Sequence, residues 1–243
     1  MKKNISIRII VPIITDRFNP EVRREASSFA APDTAIEVVN LEKGPASIES
    51  FYDESLAAPF ITEQAVRAEQ EGCDGIFVTC FGDPGVEAAR EVVRVPVVGG
   101  FQPAVLTASL VADRWSVVTV LERLGPMVYQ NARKLGLSEN LASVRAVDIP
   151  VLSLADRGRL EERLLREAEL AVKEDKAQAV VLGCTGMLGL ARQLQATLAD
   201  RGVPVPVVDP TAAAVGTLLL LIRSDTAHSK LTYPFPPEKQ RRF

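Results

Sequence analysis

The stretch AVVLGCTGM, residues 179–187, carries an apolar run into Gly183 and Cys184 and then turns through Thr185 and Gly186. About a hundred residues upstream, GIFVTCFGDPG, residues 75–85, does the same with Cys80. A short β-branched run closed by a glycine-containing turn reads as a strand buried on both faces. Two such strands, each ending on a thiol, govern the reading of the rest of the chain.

Around them the sequence falls into two sets of strands. The first is IRIIVPI (7–13), AIEVVN (35–40), GIFVTC (75–80) and VPVVGG (95–100). The second is WSVVTV (115–120), VRAVDI (144–149), AVVLGC (179–184) and VPVVDP (205–210). In each set the third strand ends in cysteine and the fourth reads VPVV, which marks an internal repeat. Helical segments such as TEQAVRAEQEG (62–72), GVEAAREVV (85–93) and RLEERLLREAELAVKED (159–175) lie between them. This alternation predicts an α/β fold of two similar lobes, each a four-stranded parallel sheet flanked by helices, related by pseudo-two-fold symmetry. The first lobe is expected over residues 1–103 and the second over 104–210. Residues 211–243, an apolar helix and a Pro-rich basic tail, are expected to pack back on the first.

Composition narrows the partners. A chain of 243 residues with 47% hydrophobic content buries a full core, and a net charge of -3 offers no basic excess for a phosphate backbone. Nucleic acid is therefore not expected. AAAVGTLLLLI, residues 212–222, falls short of the roughly 20 apolar residues of a membrane span, so it reads as a buried or interface helix. No membrane association is expected; a homo-oligomer acting on a small-molecule substrate is. The start, MKKNISIRIIVPIITD, lacks a cleavage site, and three cysteines without a C-x-x-C pair suit a reducing compartment, which points to the cytoplasm.

Ligands of parallel sheets sit at the carboxyl ends of the strands, so Cys80 and Cys184 are expected to approach one cleft from opposite sides. After Cys80, Asp83 is predicted to cap the next helix with Pro84 at its first position, bringing the thiol to a positive helix end that lowers its pKa. Thr185 and Gly186 would let backbone N–H groups hold a substrate oxygen. A base on one face of a carbon and an acid on the other can invert a stereocentre, with those N–H groups stabilising the enolate between the two proton transfers. That chemistry needs no metal and no organic cofactor. The single histidine, His228, lies in the tail, away from any cleft nucleophile.

A strand-end cysteine is more commonly a small buried hydrophobe, and the symmetric pair is what favours function here. A Cys80–Cys184 disulfide is disfavoured by the expected compartment. Cys73, before its strand in EGCDG, reads as structural. Thr79 reads first as a strand residue, with its hydroxyl as a candidate to steer Cys80; Thr119 at a strand end, and Gly100 and Phe101 after the fourth strand, are candidate pocket residues.

VTCFGDPG and LGCTGM, followed by VPVVGG and VPVVDP, resemble the paired cysteine motifs of the aspartate/glutamate/hydantoin racemase superfamily, in its hydantoin and allantoin racemase branch. The resemblance spans nearly the whole chain. It implies a cofactor-independent racemase with Cys80 and Cys184 as alternating acid and base, and Phe81, Gly82, Thr185 and Gly186 beside the substrate. Members of that branch usually carry Asn-Pro-Asn-Ser/Thr after the first strand, where this chain has Val11, Pro12, Ile13 and Ile14 before Thr15. Pro12 and Ile13 are thus expected to line a more apolar pocket, suited to hydantoins with a bulky 5-substituent. Other readings within the superfamily are an aspartate/glutamate-type racemase, a maleate isomerase-like enzyme and an arylmalonate decarboxylase-like enzyme, the last disfavoured by the second cysteine. A two-lobed solute-binding module is the alternative outside it.

Overall fold

The computed structural model describes residues 4–240, so the last three residues of the basic tail and the first three of the first lobe lie outside the described residues. Two parallel sheets are built on the same plan. The first joins β1 (Ile5–Val11), β2 (Thr34–Asn40), β3 (Gly75–Val78) and β4 (Val97–Val98) in the order β2-β1-β3-β4. The second joins β5 (Trp115–Thr119), β6 (Leu141–Ala146), β7 (Ala179–Leu182) and β8 (Val207–Val208) in the equivalent order β6-β5-β7-β8. All eight strands lie where the apolar runs predict them. However, β3, β4, β5, β7 and β8 are shorter than their runs, β6 starts three residues before its run, and Cys80 and Cys184 stand two residues past β3 and β7, in the loops at the carboxyl edges.

Helices α1 (Asn19–Phe29), α2 (Phe51–Gln70), α3 (Val86–Val92) and α4 (Phe101–Val111) follow the strands of the first sheet. Helices α5 (Gly125–Lys134), α6 (Arg157–Lys173), α7 (Ala191–Asp200) and α8 (Pro210–Arg223) follow those of the second. The strands are covered on both faces, as their sequences require: Ile5, Ile7, Ile9 and Ile10 of β1 are fully buried. In β5 and β7 the pleat sends Val118, Val180 and Leu182 into one core and Trp115, Val117, Ala179 and Val181 into the other. Residues 101–103 open α4, whose Ala104, Val105 and Ala108 pack on the second sheet.

The final helix, α8, is capped by Asp209, whose carboxylate accepts the Thr211 and Ala212 N–H groups at 2.8 and 3.0 Å. Its Ala214, Val215 and Leu218 join the core of the first sheet. The tail beyond it lies against α3 and β4. Lys230 donates to the carbonyls of Arg90 and Val93 at the end of α3, and the Val97 N–H donates to His228 Nε2 at 2.8 Å. Among the described residues, no helix is long and apolar enough to cross a membrane.

Candidate active site

The carboxyl edges of β3 and β7 enclose a narrow cavity of about 80 Å³. Cys80 and Cys184 both line it, with Thr79, Phe81, Gly82, Thr119, Thr185, Gly186, Pro12 and Ile13. Gly100 and Phe101, expected in the pocket, do not line it. They form its backing: Phe101 is buried edge-on against Phe81, with ring centres 5.2 Å apart. A larger groove of about 860 Å³ runs outside between α1, the start of α7 and α8, and neither thiol opens into it.

Hydrogen bonds between the two halves fix the cysteine loops. The Thr185 hydroxyl donates to the Thr79 carbonyl at 2.9 Å, linking the residue after one thiol to the residue before the other. The Cys80 carbonyl accepts the N–H groups of Gly100 at 3.1 Å and Asp83 at 3.3 Å. Gly100 has to be glycine for this approach, because a Cβ there would stand 2.9 Å from the Cys80 oxygen and 3.0 Å from the Thr185 methyl. Glu49, in the loop just before the cap of α2, accepts the Val151 N–H at 2.8 Å and ties a further loop of the second half across the cleft.

Asp83 does not cap the helix that follows it. Its left-handed backbone, φ 55°, turns the side chain to α4, where the carboxylate accepts the N–H groups of Phe101 and Gln102 at 2.8 and 3.2 Å. Helix α3 begins instead at Val86 after Gly85. The expected helix-end stabilisation of a Cys80 thiolate is therefore not what the structure provides. Burial pushes the Cys80 thiol well above its ordinary pKa, and the nearby Glu54 carboxylate adds to this against one N–H from Gly82. Burial also pushes Cys184 up to about 11, opposed by the N–H groups of Gly186 and Met187. Both thiols are strong proton holders, and each becomes a strong base once ionised. Cys73 is buried beside Ser6, 3.7 Å between sulfur and hydroxyl, at the other edge of the sheet.

Other expected contacts are already committed. The Thr119 hydroxyl donates to the Gly183 carbonyl at 3.2 Å, and the Gly186 N–H points at its own Cys184 sulfur at 3.3 Å. Sequence reading missed other side chains that close the cavity: Phe18 just before α1, Ile48, Leu124 and Val151 from loops and short turns, and Met127 and Asn131 from α5. Asn131 donates to the Gly82 carbonyl at 3.1 Å. Its spacing of four from Met127 puts the two on one face of α5, a signal that becomes visible only once that face is known to be buried.

Two thiols on loops from different sheets thus line one cleft walled largely by apolar side chains, an arrangement that can hold and transfer protons at a bound carbon. A family of sequences described as Asp/Glu/Hydantoin racemase matches residues 7–218 of this chain. A hydantoin racemase from Pseudomonas sp. (strain NS671) is 38% identical over 238 residues, covering 97% of this chain and 94% of that protein. Among solved structures, the allantoin racemase from Klebsiella pneumoniae is similar with a TM-score of 0.91 and 37% identity, covering 97% of this chain and 95% of the other. The allantoin racemase from Pseudomonas fluorescens gives a TM-score of 0.92 at 33% identity, over 98% of this chain and all of the other.

Proposed function

The chain belongs to the Asp/Glu/hydantoin racemase family, and on that premise we propose that it is an isomerase that racemises 5-substituted hydantoins by a two-thiol mechanism. The observation that carries this reading is the convergence of Cys80 and Cys184 on one cavity. In one direction the Cys80 thiolate takes the C5 proton, leaving an enolate, and the Cys184 S–H delivers its proton to the opposite face. The sulfurs then hold exchanged protonation states, and the reverse direction restores them. The bond broken and the bond formed are both C–H, so no redox partner is consumed. With the Gly82 and Gly186 N–H groups directed at the sulfurs, the backbone N–H groups of Phe81 and Thr185 would carry the enolate oxygens as charge develops.

The apolar wall favours a particular substituent. Pro12 and Ile13 are buried, and Phe18, Val22, Ile48 and Leu188 lie beside them along the cavity. A ureido group placed there would lose its water without gaining partners, whereas an alkyl or aryl group gains from burial. The reading is thus of a hydantoin racemase preferring apolar 5-substituents, working without metal or organic cofactor in a reducing compartment that keeps its thiols free. Loss of optical rotation should be measured for enantiopure 5-alkyl and 5-benzyl hydantoins, allantoin, aspartate and glutamate. Turnover of the apolar hydantoins above the others supports the assignment, and turnover confined to the free amino acids rejects it.

A further inference from the structure

Glu54 stands behind the Cys80 loop, in the first turn of α2. The helix end does not need it. Ser50 and Asp53 already cap each other there, with the Ser50 hydroxyl and the Glu49 N–H both donating to Asp53 at 2.7 and 3.0 Å. Glu54 Oε1 is nevertheless buried and, among the described residues, has no hydrogen-bond partner. It lies against Gly82, where any Cβ would overlap it and would also stand 2.9 Å from the sulfur of Met127. Gly82 sends its N–H to the Cys80 sulfur, and Met127 lines the cleft. Carboxyl, glycine and thiol are therefore successive layers of one wall.

We propose that Glu54 is a positioning residue whose charge governs how readily Cys80, and not Cys184, gives up its proton. This inference rests on the two-thiol reading above. The charged or titratable groups around Glu54 are Asp83 on the cysteine loop, Glu87 and Arg90 on α3, Lys134 on α5 and Tyr233 on the tail. Burial and the Asp83 charge raise the Glu54 pKa to about 7, opposed by Lys134, which is half-exposed and paired with Glu87 at 3.7 Å. Glu54 is the strongest charge acting on Cys80, whereas the charge acting on Cys184 is Glu49. As pH rises through about 7, Glu54 becomes negative and opposes formation of the Cys80 thiolate. Below that range the carboxyl is neutral and the opposition is gone.

The test is the alkylation rate of each cysteine by iodoacetamide, read by peptide mass spectrometry across the neutral range, in the full chain and its Glu54→Gln variant. The variant should label Cys80 about tenfold faster than the wild type above about pH 8, the effect of one unit in thiol pKa. The two rates should converge below about pH 6, where Glu54 is protonated in the wild type as well, and Cys184 should be unchanged. Lys134→Met, which leaves Glu54 in place, should move the bend in the Cys80 profile to higher pH. A pH-independent offset, an equal change at both thiols, or no change in either variant would overturn the proposal. Alkylation needs no turnover, so the predicted rates in a protein that racemises nothing would reject the racemase reading and leave the Glu54–Cys80 coupling standing.

Discussion

The Thr185 hydroxyl donates to the Thr79 carbonyl at 2.9 Å across 106 residues of sequence. This bond joins the two cysteine loops directly, through a buried threonine. Thr185→Val keeps the shape and leaves the Thr79 carbonyl without that donor, which should cost about 1 kcal/mol of stability. Because the bond links the two loops that carry the thiols, kcat should fall several-fold while KM moves little. Denaturant unfolding and steady-state racemisation measure the two effects.

Gly100→Ala tests the same architecture from the other side. Its Cβ would meet the Cys80 oxygen at 2.9 Å and the Thr185 methyl at 3.0 Å, so the Cys80 loop has to shift. Overpacking of this kind costs about 1–3 kcal/mol, and activity should drop more than a matched alanine at the open Gly125. Unfolding midpoints and kcat of the two variants make the comparison.

The thiols should titrate high. With Cys184 pushed up to about 11, its alkylation in the free protein should climb roughly tenfold per pH unit from neutral to mildly alkaline conditions, and Cys80, also raised, should climb likewise on either side of its Glu54 bend. A plateau in the Cys184 profile with a midpoint near neutrality would show that its thiolate is stabilised in a way this structure does not contain.

A second pH effect belongs to stability. Glu25 on α1 accepts the Gly189 N–H and shares a hydrogen bond with Asp209 at the cap of α8, so the pair joins the two halves beside the cleft residue Leu188. Burial and the Asp209 charge raise Glu25 to about 8. With the folded value above the unfolded one, the native state binds the extra proton. Its stabilisation is complete below the ordinary carboxylate range and is lost as pH rises through about 8. The melting temperature should fall over that window, and Glu25→Gln should flatten the fall.

Much of the fold is legible because strand periodicity and the VPVV repeat are local signals. The cysteines' place at the carboxyl edges follows from the same pattern. Asp83 misled because its partner is α4, reached through a left-handed turn at a sequence separation of 18 residues from Phe101. The raised thiol pKa values escaped for a related reason. They arise from burial under side chains of other elements and from Glu54 and Glu49, which local sequence does not connect to either cysteine. Asn131 and Met127 close the cavity from α5, and nothing short of tertiary structure puts that helix over the loop.

Central to the account is that each thiol serves one face of the substrate carbon. The most direct measurement is solvent deuterium exchange at C5 of each enantiomer of an apolar 5-substituted hydantoin, with the Cys80→Ser and Cys184→Ser variants beside the wild type. A serine hydroxyl is too weakly acidic to take over either role, so both variants should lose racemisation. Each should retain exchange in one enantiomer, where the surviving thiolate removes and returns a proton on its own face, and the two variants should retain opposite enantiomers. Racemisation by either variant near the wild-type rate, or exchange of the same enantiomer by both, would contradict the two-thiol mechanism.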